Sequence, residues 1–155
     1  MNLVLRRVTI TDLTIEMIPT FMKYHNDLEW MIFQGLKGLT LVEYQEKLLV
    51  KTDWFEGKQI GIIDNENKKL IEDIYVKFDS LSTCTIGYTI RPEYAKMGYM
   101  KETLQGLISW LKMQEITEVC ATVLMENEAS IQLLRSLSFN IFQENTKECI
   151  LNRFL

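Results

Sequence analysis

The segment from Gly87 to Glu102 combines the end of a strand, a short turn and the start of a helix. Arg91 precedes a proline and is therefore extended, and Gly98 permits a tight turn before an apolar repeat of helical period. A helix N-terminus presents unpaired N–H groups and a partial positive charge, both of which attract phosphate. Lys96 and Lys101 add cationic side chains. The segment predicts either a phosphate seat or an ordinary turn, since a single glycine fits both.

Residues that commonly bind metals are scattered along the chain. Cys84, Cys120 and Cys149 lie far apart and form no Cys-x-x-Cys pair, so neither zinc binding nor a disulfide framework is indicated. His25 is the single histidine, and it follows an apolar helical stripe. We expect an ordinary surface or helix-end role for it rather than catalysis.

Length, composition and charge limit the class of protein. The 155 residues suit one domain, which we expect to span residues 1–155. A net charge of -4 argues against general nucleic-acid binding, which relies on Lys and Arg. No apolar run approaches the roughly 20 residues that cross a bilayer, so no membrane association is expected. The N-terminus shows no secretory signal pattern, and we expect a cytoplasmic protein.

The elements that position this segment follow from hydrophobic periodicity and from capping residues. A first strand is predicted at Leu3–Val8, followed by a helix that Pro19 interrupts or restarts. Three residues are suited to starting that helix: Thr11, Asp12 and Thr14. Thr40 and Glu43 form a capping box that opens a second helix.

The second half of the chain alternates strands and helices. An antiparallel meander of three strands is predicted, at Lys58–Ile63, Leu70–Phe78 and Thr83–Ile90. A helix from Gly98 to about Met113, a strand at Thr117–Leu124 and a helix capped by Asn127 follow. Phe139–Phe142 and Glu148–Leu151 are expected to form a closing hairpin. This order mixes a meander with one β-α-β unit, which predicts an α+β fold with three layers.

Ala95-Lys96-Met97-Gly98-Tyr99-Met100 resembles motif A of the GNAT acetyltransferases, whose pattern is Gln/Arg-x-x-Gly-x-Gly/Ala. The wider segment is similar to the branch of ribosomal-protein N-terminal acetyltransferases, which reads Gly-Tyr-x-x-x-Pro-Glu-Tyr-x-x-x-Gly-Tyr-x-x-Glu. Further resemblances follow the family's order along the chain. They are Leu5-Arg6-Arg7 with Thr11-Asp12, Ile71-Glu-Asp-Ile74, Asn127-Glu-Ala-Ser130 and Leu137-Ser-Phe139.

The resemblance implies a mixed, mostly antiparallel sheet of six to seven strands, flanked by about four helices. Two central strands would splay apart at the cofactor site. It also implies an acetyl-CoA-dependent N-acetyltransferase that acts by direct attack of a primary amine, from a small molecule or a protein N-terminus. Homodimers are common in the family, and the last strand, Glu148–Leu151, would offer an edge for one.

The resemblance also implies roles for individual residues. Backbone amides of the turn would bind the pyrophosphate of acetyl-CoA, from Lys96, Met97, Gly98, Tyr99 and Met100. Ile90 and Arg91 would pair with the pantetheine arm like an added strand. Asn127 would fix the loop or the pantetheine. Ser130 would lie near the sulfur and stabilise the leaving thiolate, although capping of its own helix is an equally good explanation for it.

Several positions depart from the family pattern. Ala95 replaces the usual Gln or Arg, and Thr85 replaces a Glu that acts as base in many relatives. Glu72 and Asp73 lie on the neighbouring strand and could substitute as the base, but surface salt bridges or turn-facing roles are expected for them, so no general base is assigned. These departures leave an alternative, a GNAT-fold acyl-CoA-binding or interaction module without catalysis.

Overall fold

The computed structural model describes residues 1–50 and 53–155. Within these ranges it contains one sheet and four α-helices. The strands are β1 Asn2–Val4, β2 Val8–Asp12, β3 Lys58–Asp64, β4 Leu70–Phe78, β5 Thr83–Ile90, β6 Glu118–Leu124, β7 Asn140–Glu144 and β8 Glu148–Phe154. The helices are α1 Ile18–His25, α2 Leu41–Leu49, α3 Tyr99–Met113 and α4 Glu128–Ser136. Short 3-10 helices lie at Ile15–Met17 and Pro92–Tyr94.

In the described part of the chain the sheet has eight strands, in the order β1-β2-β3-β4-β5-β6-β8-β7. All neighbours are antiparallel except β5 and β6, which are parallel. β5 and β6 pair only from Thr83 to Thr85 and from Glu118 to Cys120. Beyond these residues the two strands diverge, which confirms the predicted splayed pair and the predicted α+β class.

The additional strand comes from the N-terminus, where a hairpin replaces the single strand predicted at Leu3–Val8. Leu5 N–H donates to Val8 O at 2.8 Å and closes the turn between β1 and β2. Asn65, which lies outside the hairpin, stabilises this turn, because its backbone N–H donates to Arg7 O at 2.8 Å. Residues 11 and 12 consequently lie in β2 and pair with β3, so the prediction that they start a helix is wrong.

The helices of the first half begin as their sequences predict. Pro19 lies in the first turn of α1, directly after the 3-10 helix, and so restarts the helix there. The capping box of α2 is confirmed: Thr40 N–H donates to Glu43 Oε2 at 2.8 Å, and Glu43 N–H donates to Thr40 Oγ1 at 3.3 Å.

Two hydrophobic layers hold the helices against the sheet. The apolar stripe of α3 is fully confirmed as core, with Met100, Leu104, Leu107, Ile108 and Leu111 all buried. Together with α4 it covers one face of the sheet. α1 and α2 cover the other face through a smaller cluster that includes Phe21 and Tyr44. The central strands are therefore covered on both faces near the point where β5 and β6 diverge.

The chain leaves the C-terminus of α4 through a residue with left-handed backbone, Ser138. Ser138 has φ 65°, in the left-handed region. Its N–H donates to Arg135 O at 3.0 Å, and Phe139 N–H donates to Leu134 O at 3.1 Å. These two bonds form a Schellman cap, in which glycine is the preferred residue at this position.

Replacing Ser138 with glycine should stabilise the protein. Left-handed backbone costs a non-glycine residue roughly 1–2 kcal/mol, and the greater freedom of glycine in the unfolded chain offsets part of that gain. We expect a net gain of about 1 kcal/mol, or about 2–4 °C in Tm. Ser138→Ala retains the Cβ and serves as the control. Equal melting temperatures for the two variants in thermal denaturation would contradict the explanation.

The edges of the sheet differ from the prediction. β8 lies between β6 and β7, so its backbone is paired on both sides and offers no free edge to a second chain. The edge strands are β1 and β7. Among the described helices none is long and apolar enough to cross a bilayer.

Candidate functional site

The turn before α3 places two residues with positive φ close together. Lys96 has φ 62° and Gly98 has φ 78°. Gly98 is the N-cap of α3, and the first N–H to bond back along the helix is that of Glu102, which donates to Gly98 O at 3.2 Å. The preceding N–H groups of the first turn have no partner inside the helix. They form a seat for an anion at the positive end of a 15-residue helix.

A cavity of about 600 Å³ runs from this turn to the divergence of β5 and β6. The end of β5, the turn, the start of α4 and residues 29–34 line it. Seven of the residues predicted to bind the cofactor border this cavity: Ile90, Lys96, Gly98, Tyr99, Met100, Asn127 and Ser130. The fold thus brings together residues separated by up to 40 positions in sequence.

Two of the predicted residues, Arg91 and Met97, do not border the cavity. Arg91 N–H donates to Ile71 O at 2.9 Å within the sheet, and its guanidinium donates to Leu70 O at 2.8 Å and to Glu93 at 2.9 Å. The Arg91 N–H and guanidinium therefore both face β4, and its pairing with a pantetheine arm stays a prediction. The Met97 side chain is 58% exposed, and only its backbone remains a candidate for the turn.

Carbonyl groups of β5 face the gap that the divergence opens. Because Arg91 N–H faces β4, strand alternation turns the backbone of Tyr88 and Ile90 towards the other side. There Trp30 Nε1 donates to Ile90 O at 2.7 Å, and Gln34 Nε2 donates to Tyr88 O at 3.1 Å. The side chains of Trp30 and Gln34 thus occupy acceptors that an extended amide-bearing ligand would use as an added strand.

The first turn of α4 closes the cavity opposite β5. Asn127 Oδ1 accepts from Ser130 N–H at 3.2 Å, which confirms the predicted helix cap at Asn127. The described residues offer the Ser130 hydroxyl no hydrogen-bond partner. Tyr88 donates its hydroxyl to Ser130 O at 3.4 Å, and burial raises the pKa of Tyr88 to about 12. Tyr88 therefore remains protonated at neutral pH and can donate a hydrogen bond.

The sequence alone assigns no role to Tyr88. It forms part of a Gly-Tyr pair, and an aromatic residue near the end of a strand is most often core. What distinguishes it is the position directly after Gly87, at which the sheet opens.

A second cavity of about 350 Å³ lies on the side of the sheet that α1 and α2 cover. Residues of β3, β4 and β5 line it on the side of the sheet. Residues of α1, α2 and the segment after α1 line the opposite side. Three residues border both cavities: Gln34, Tyr88 and Thr89. The two cavities therefore adjoin at the end of β5, around these shared residues.

Asp73 lies fully buried next to the second cavity, so the prediction of a surface role is wrong. It accepts hydrogen bonds from Tyr24 Oη at 2.5 Å and from Gln59, and it lies 2.8 Å from His25 Nε2. His25 is itself 2% exposed, which corrects the surface alternative but confirms its place at the end of α1.

The second ring nitrogen of His25 is also engaged. Nδ1 lies 2.6 Å from Leu36 O, which can only accept, so Nδ1 carries a proton. Nε2 faces Asp73 Oδ1 at 2.8 Å. Both ring nitrogens therefore have a partner within the protein, and the pair orders the floor of the cavity.

Glu72 is also fully buried, on the opposite face of the sheet from Asp73 and under α3. Thr103 Oγ1 donates to its Oε2 at 2.7 Å, while Oε1 has no hydrogen-bond partner among the described residues. Burial raises the pKa of Glu72 to about 8. The predicted surface role is therefore wrong for Glu72 as well, and the carboxyl is largely protonated at neutral pH.

Thr85 does not substitute for the base that relatives carry at this position. Its hydroxyl donates to Asp79 Oδ2 at 2.6 Å near the turn between β4 and β5. It borders neither cavity.

Comparisons with known structures agree with this architecture. A GNAT-family acetyltransferase from Bacillus anthracis has a TM-score of 0.88 at 17% identity, covering 99% of this chain and 98% of its own. A ribosomal L7/L12 α-N-protein acetyltransferase in complex with coenzyme A has a TM-score of 0.84 at 12% identity, covering 100% and 98%. The ribosomal-protein-S5-alanine acetyltransferase from Vibrio fischeri has a TM-score of 0.76 at 13% identity, covering 99% and 96%.

At these identities the structural neighbours establish the fold. No curated protein matches the sequence significantly. The family is established by the sequence model for the acetyltransferase (GNAT) domain, which matches residues 2–140 of the 155. The chain therefore belongs to the GNAT acetyltransferase family and is an acyltransferase that takes its acetyl group from acetyl-CoA.

Proposed function

We propose that the protein transfers the acetyl group of acetyl-CoA to a primary amine, of a small molecule or a protein N-terminus, by direct attack. The meeting of the two cavities at Tyr88 and Thr89 carries this proposal. A donor in the larger cavity and an amine in the smaller one would approach each other at the end of β5. Such proximity and alignment supply much of the rate of a transfer reaction.

The larger cavity has the features that acetyl-CoA requires. Its turn offers free N–H groups and a helix N-terminus for the pyrophosphate, which the side chain of Lys96 supplements. The carbonyls of Tyr88 and Ile90 face the gap where the pantetheine arm would extend. Acetyl-CoA would supply the thioester, placed between β5 and the start of α4.

Ser130 and Tyr88 are the groups placed to assist the leaving thiolate. Both border the larger cavity, and the Tyr88 hydroxyl lies 3.4 Å from Ser130 O. A hydroxyl directed at the sulfur stabilises the negative charge that develops as the amine displaces it. We assign this donor role to Ser130. Tyr88 is the neighbouring hydroxyl, which would have to turn from Ser130 O to reach the sulfur.

We infer that proton removal from the acceptor does not use a carboxylate of the smaller cavity. The described residues that line the smaller cavity include no Asp or Glu, and both nitrogens of His25 are engaged. We infer that the ammonium loses its proton to water before it attacks. The dependence of kcat/KM on pH should then follow the ionisation of the acceptor itself.

Turnover with acetyl-CoA and a panel of small primary amines and short peptides tests the function. We expect coenzyme A release that depends on an acceptor, with one acetyl group added to it by mass spectrometry. Ser130→Ala and Tyr88→Phe should each lower kcat, by about tenfold to a hundredfold for the true donor, and leave the Kd of acetyl-CoA unchanged.

Ser136→Ala is the matched control, because Ser136 lies on the same helix but its hydroxyl donates to Leu133 O on the exposed side. A full kcat in Ser130→Ala together with a fall in Tyr88→Phe would transfer the role to Tyr88. Acetyl-CoA binding without turnover of any acceptor would favour the non-catalytic alternative.

A further inference from the structure

Arg7 lies 91 positions before Gly98 in the sequence, yet it contacts the turn that precedes α3. It sits in the hairpin turn between β1 and β2, which is firmly held. Asn65 donates from its backbone to Arg7 O at 2.8 Å and from its side chain to Leu5 O at 3.0 Å. Thr9 Oγ1 donates to Asn65 Oδ1 at 2.7 Å and orients that side chain. The Arg7 backbone is therefore a fixed anchor.

The Arg7 side chain contacts the phosphate-binding turn on both sides of Gly98. Nη1 donates to Met97 O at 2.9 Å, on the N-terminal side. On the C-terminal side, Nε donates to Glu102 Oε2 at 2.7 Å, and the guanidinium carbon lies 4.3 Å from the centre of the Tyr99 ring. Because these contacts come before and after the glycine, they fix the direction in which the free N–H groups point.

Arg7 also offsets a negative charge that lies close to the phosphate seat. Glu102 is in the first turn of α3, where a carboxylate competes with a phosphate for the positive end of the helix. Burial raises the pKa of Glu102, but hydrogen bonds from the Arg7 N–H and guanidinium outweigh this and hold the pKa below its ordinary value. The carboxylate is therefore ionised, and Arg7 is its charge partner at 2.7 Å.

We propose that Arg7 is a positioning residue of the donor site, which aligns the turn at Gly98 and neutralises Glu102 so that the turn accepts a pyrophosphate. The proposal extends the proposed function, because it assumes that acetyl-CoA binds at this turn. Arg7 does not border the cavity that would hold the thioester. Its loss should therefore weaken binding of the nucleotide portion of the donor and leave the pantetheine portion unaffected.

Binding of coenzyme A by calorimetry, and of pantetheine by ligand-observed NMR, tests this in wild type, Arg7→Gln and Arg7→Lys. Pantetheine carries the same arm and thiol but no pyrophosphate. Arg7→Gln should weaken coenzyme A binding by about tenfold or more, because it removes charge-assisted hydrogen bonds. Arg7→Lys keeps the charge without the planar fork and should lose less. Pantetheine binding should not change.

Arg6→Gln is the matched control. Arg6 is exposed in the same turn, and its replacement removes the same positive charge. If Arg6→Gln and Arg7→Gln weakened coenzyme A binding equally, the loss would come from net charge alone, and the proposal would be overturned. Unchanged coenzyme A binding in Arg7→Gln, or loss of pantetheine binding with it, would also overturn the proposal. If Arg7→Lys bound coenzyme A as tightly as the wild type, the geometry of the guanidinium contacts would not matter, and this too would contradict the proposal. Failure of the wild type to bind coenzyme A would instead refute the donor site itself.

Discussion

Replacing Gly98 with proline is expected to abolish measurable binding of acetyl-CoA. Gly98 has φ 78°, whereas proline is restricted to about -65°, so the substitution reverses the backbone of the turn. It also removes one N–H from the proposed phosphate seat. Because the turn immediately precedes α3, the remaining N–H groups would be redirected. We expect affinity to fall by at least about a hundredfold, as measured by isothermal titration calorimetry.

Gly38→Pro is the control for this variant. Gly38 also has a positive φ, 72°, and its N–H donates to Asn26 Oδ1 at 2.8 Å, but it borders neither cavity. The change should lower Tm and leave acetyl-CoA binding intact. If Gly98→Pro bound acetyl-CoA as tightly as the wild type, the phosphates would have to lie elsewhere.

Replacing Glu72 with glutamine is expected to stabilise the protein strongly at alkaline pH. Burial raises the pKa of Glu72 from 4.5 to about 8. Between these values the unfolded chain has released the proton while the native chain retains it. The free energy of unfolding therefore falls as pH rises from about 4.5 to 8. Above that range the full loss persists. Glutamine resembles the protonated carboxyl and does not ionise.

The size of the effect follows from the shift. At about 1.4 kcal/mol per pH unit, the wild type should lose about 3 to 5 kcal/mol across this range relative to Glu72→Gln. Thermal denaturation at pH 5 and pH 8 measures it, with a Tm difference on the order of 10 °C at pH 8 and little at pH 5. Glu46→Gln, at an exposed position of α2, is the control. A stabilisation that is equal at both pH values would contradict a buried, protonated Glu72.

Most of the framework could be predicted from local patterns. The stripe of α3 has a regular helical period, and the strand pattern of β3, β4 and β5 is bounded by turn residues on both sides. These signals depend on neighbours within a few positions. For the same reason the turn at Gly98 and the cap at Asn127 were identified together with the elements they begin.

The errors concern contacts between distant segments. In the sequence, Glu72 and Asp73 are two polar residues of a strand, which predicts exposure. Both are buried because helices pack on both faces of the sheet. The break in the first strand depends on Asn65, which lies nearly 60 positions from that turn. The sequence shows Arg7 only as part of the Leu5-Arg6-Arg7 motif. Its partners at the turn before α3 lie about 90 positions away, and only the folded sheet brings them to it.

A crystal structure of the protein with acetyl-CoA tests the central claim most directly. We expect the pyrophosphate at the N–H groups between Lys96 and Lys101. We expect the pantetheine arm along Tyr88 and Ile90, in place of the Trp30 and Gln34 side chains. The thioester should lie between Tyr88 and Ser130, open to the smaller cavity. Acetyl-CoA bound with its phosphates away from the N-terminus of α3, or with its thioester closed off from the smaller cavity, would contradict the account.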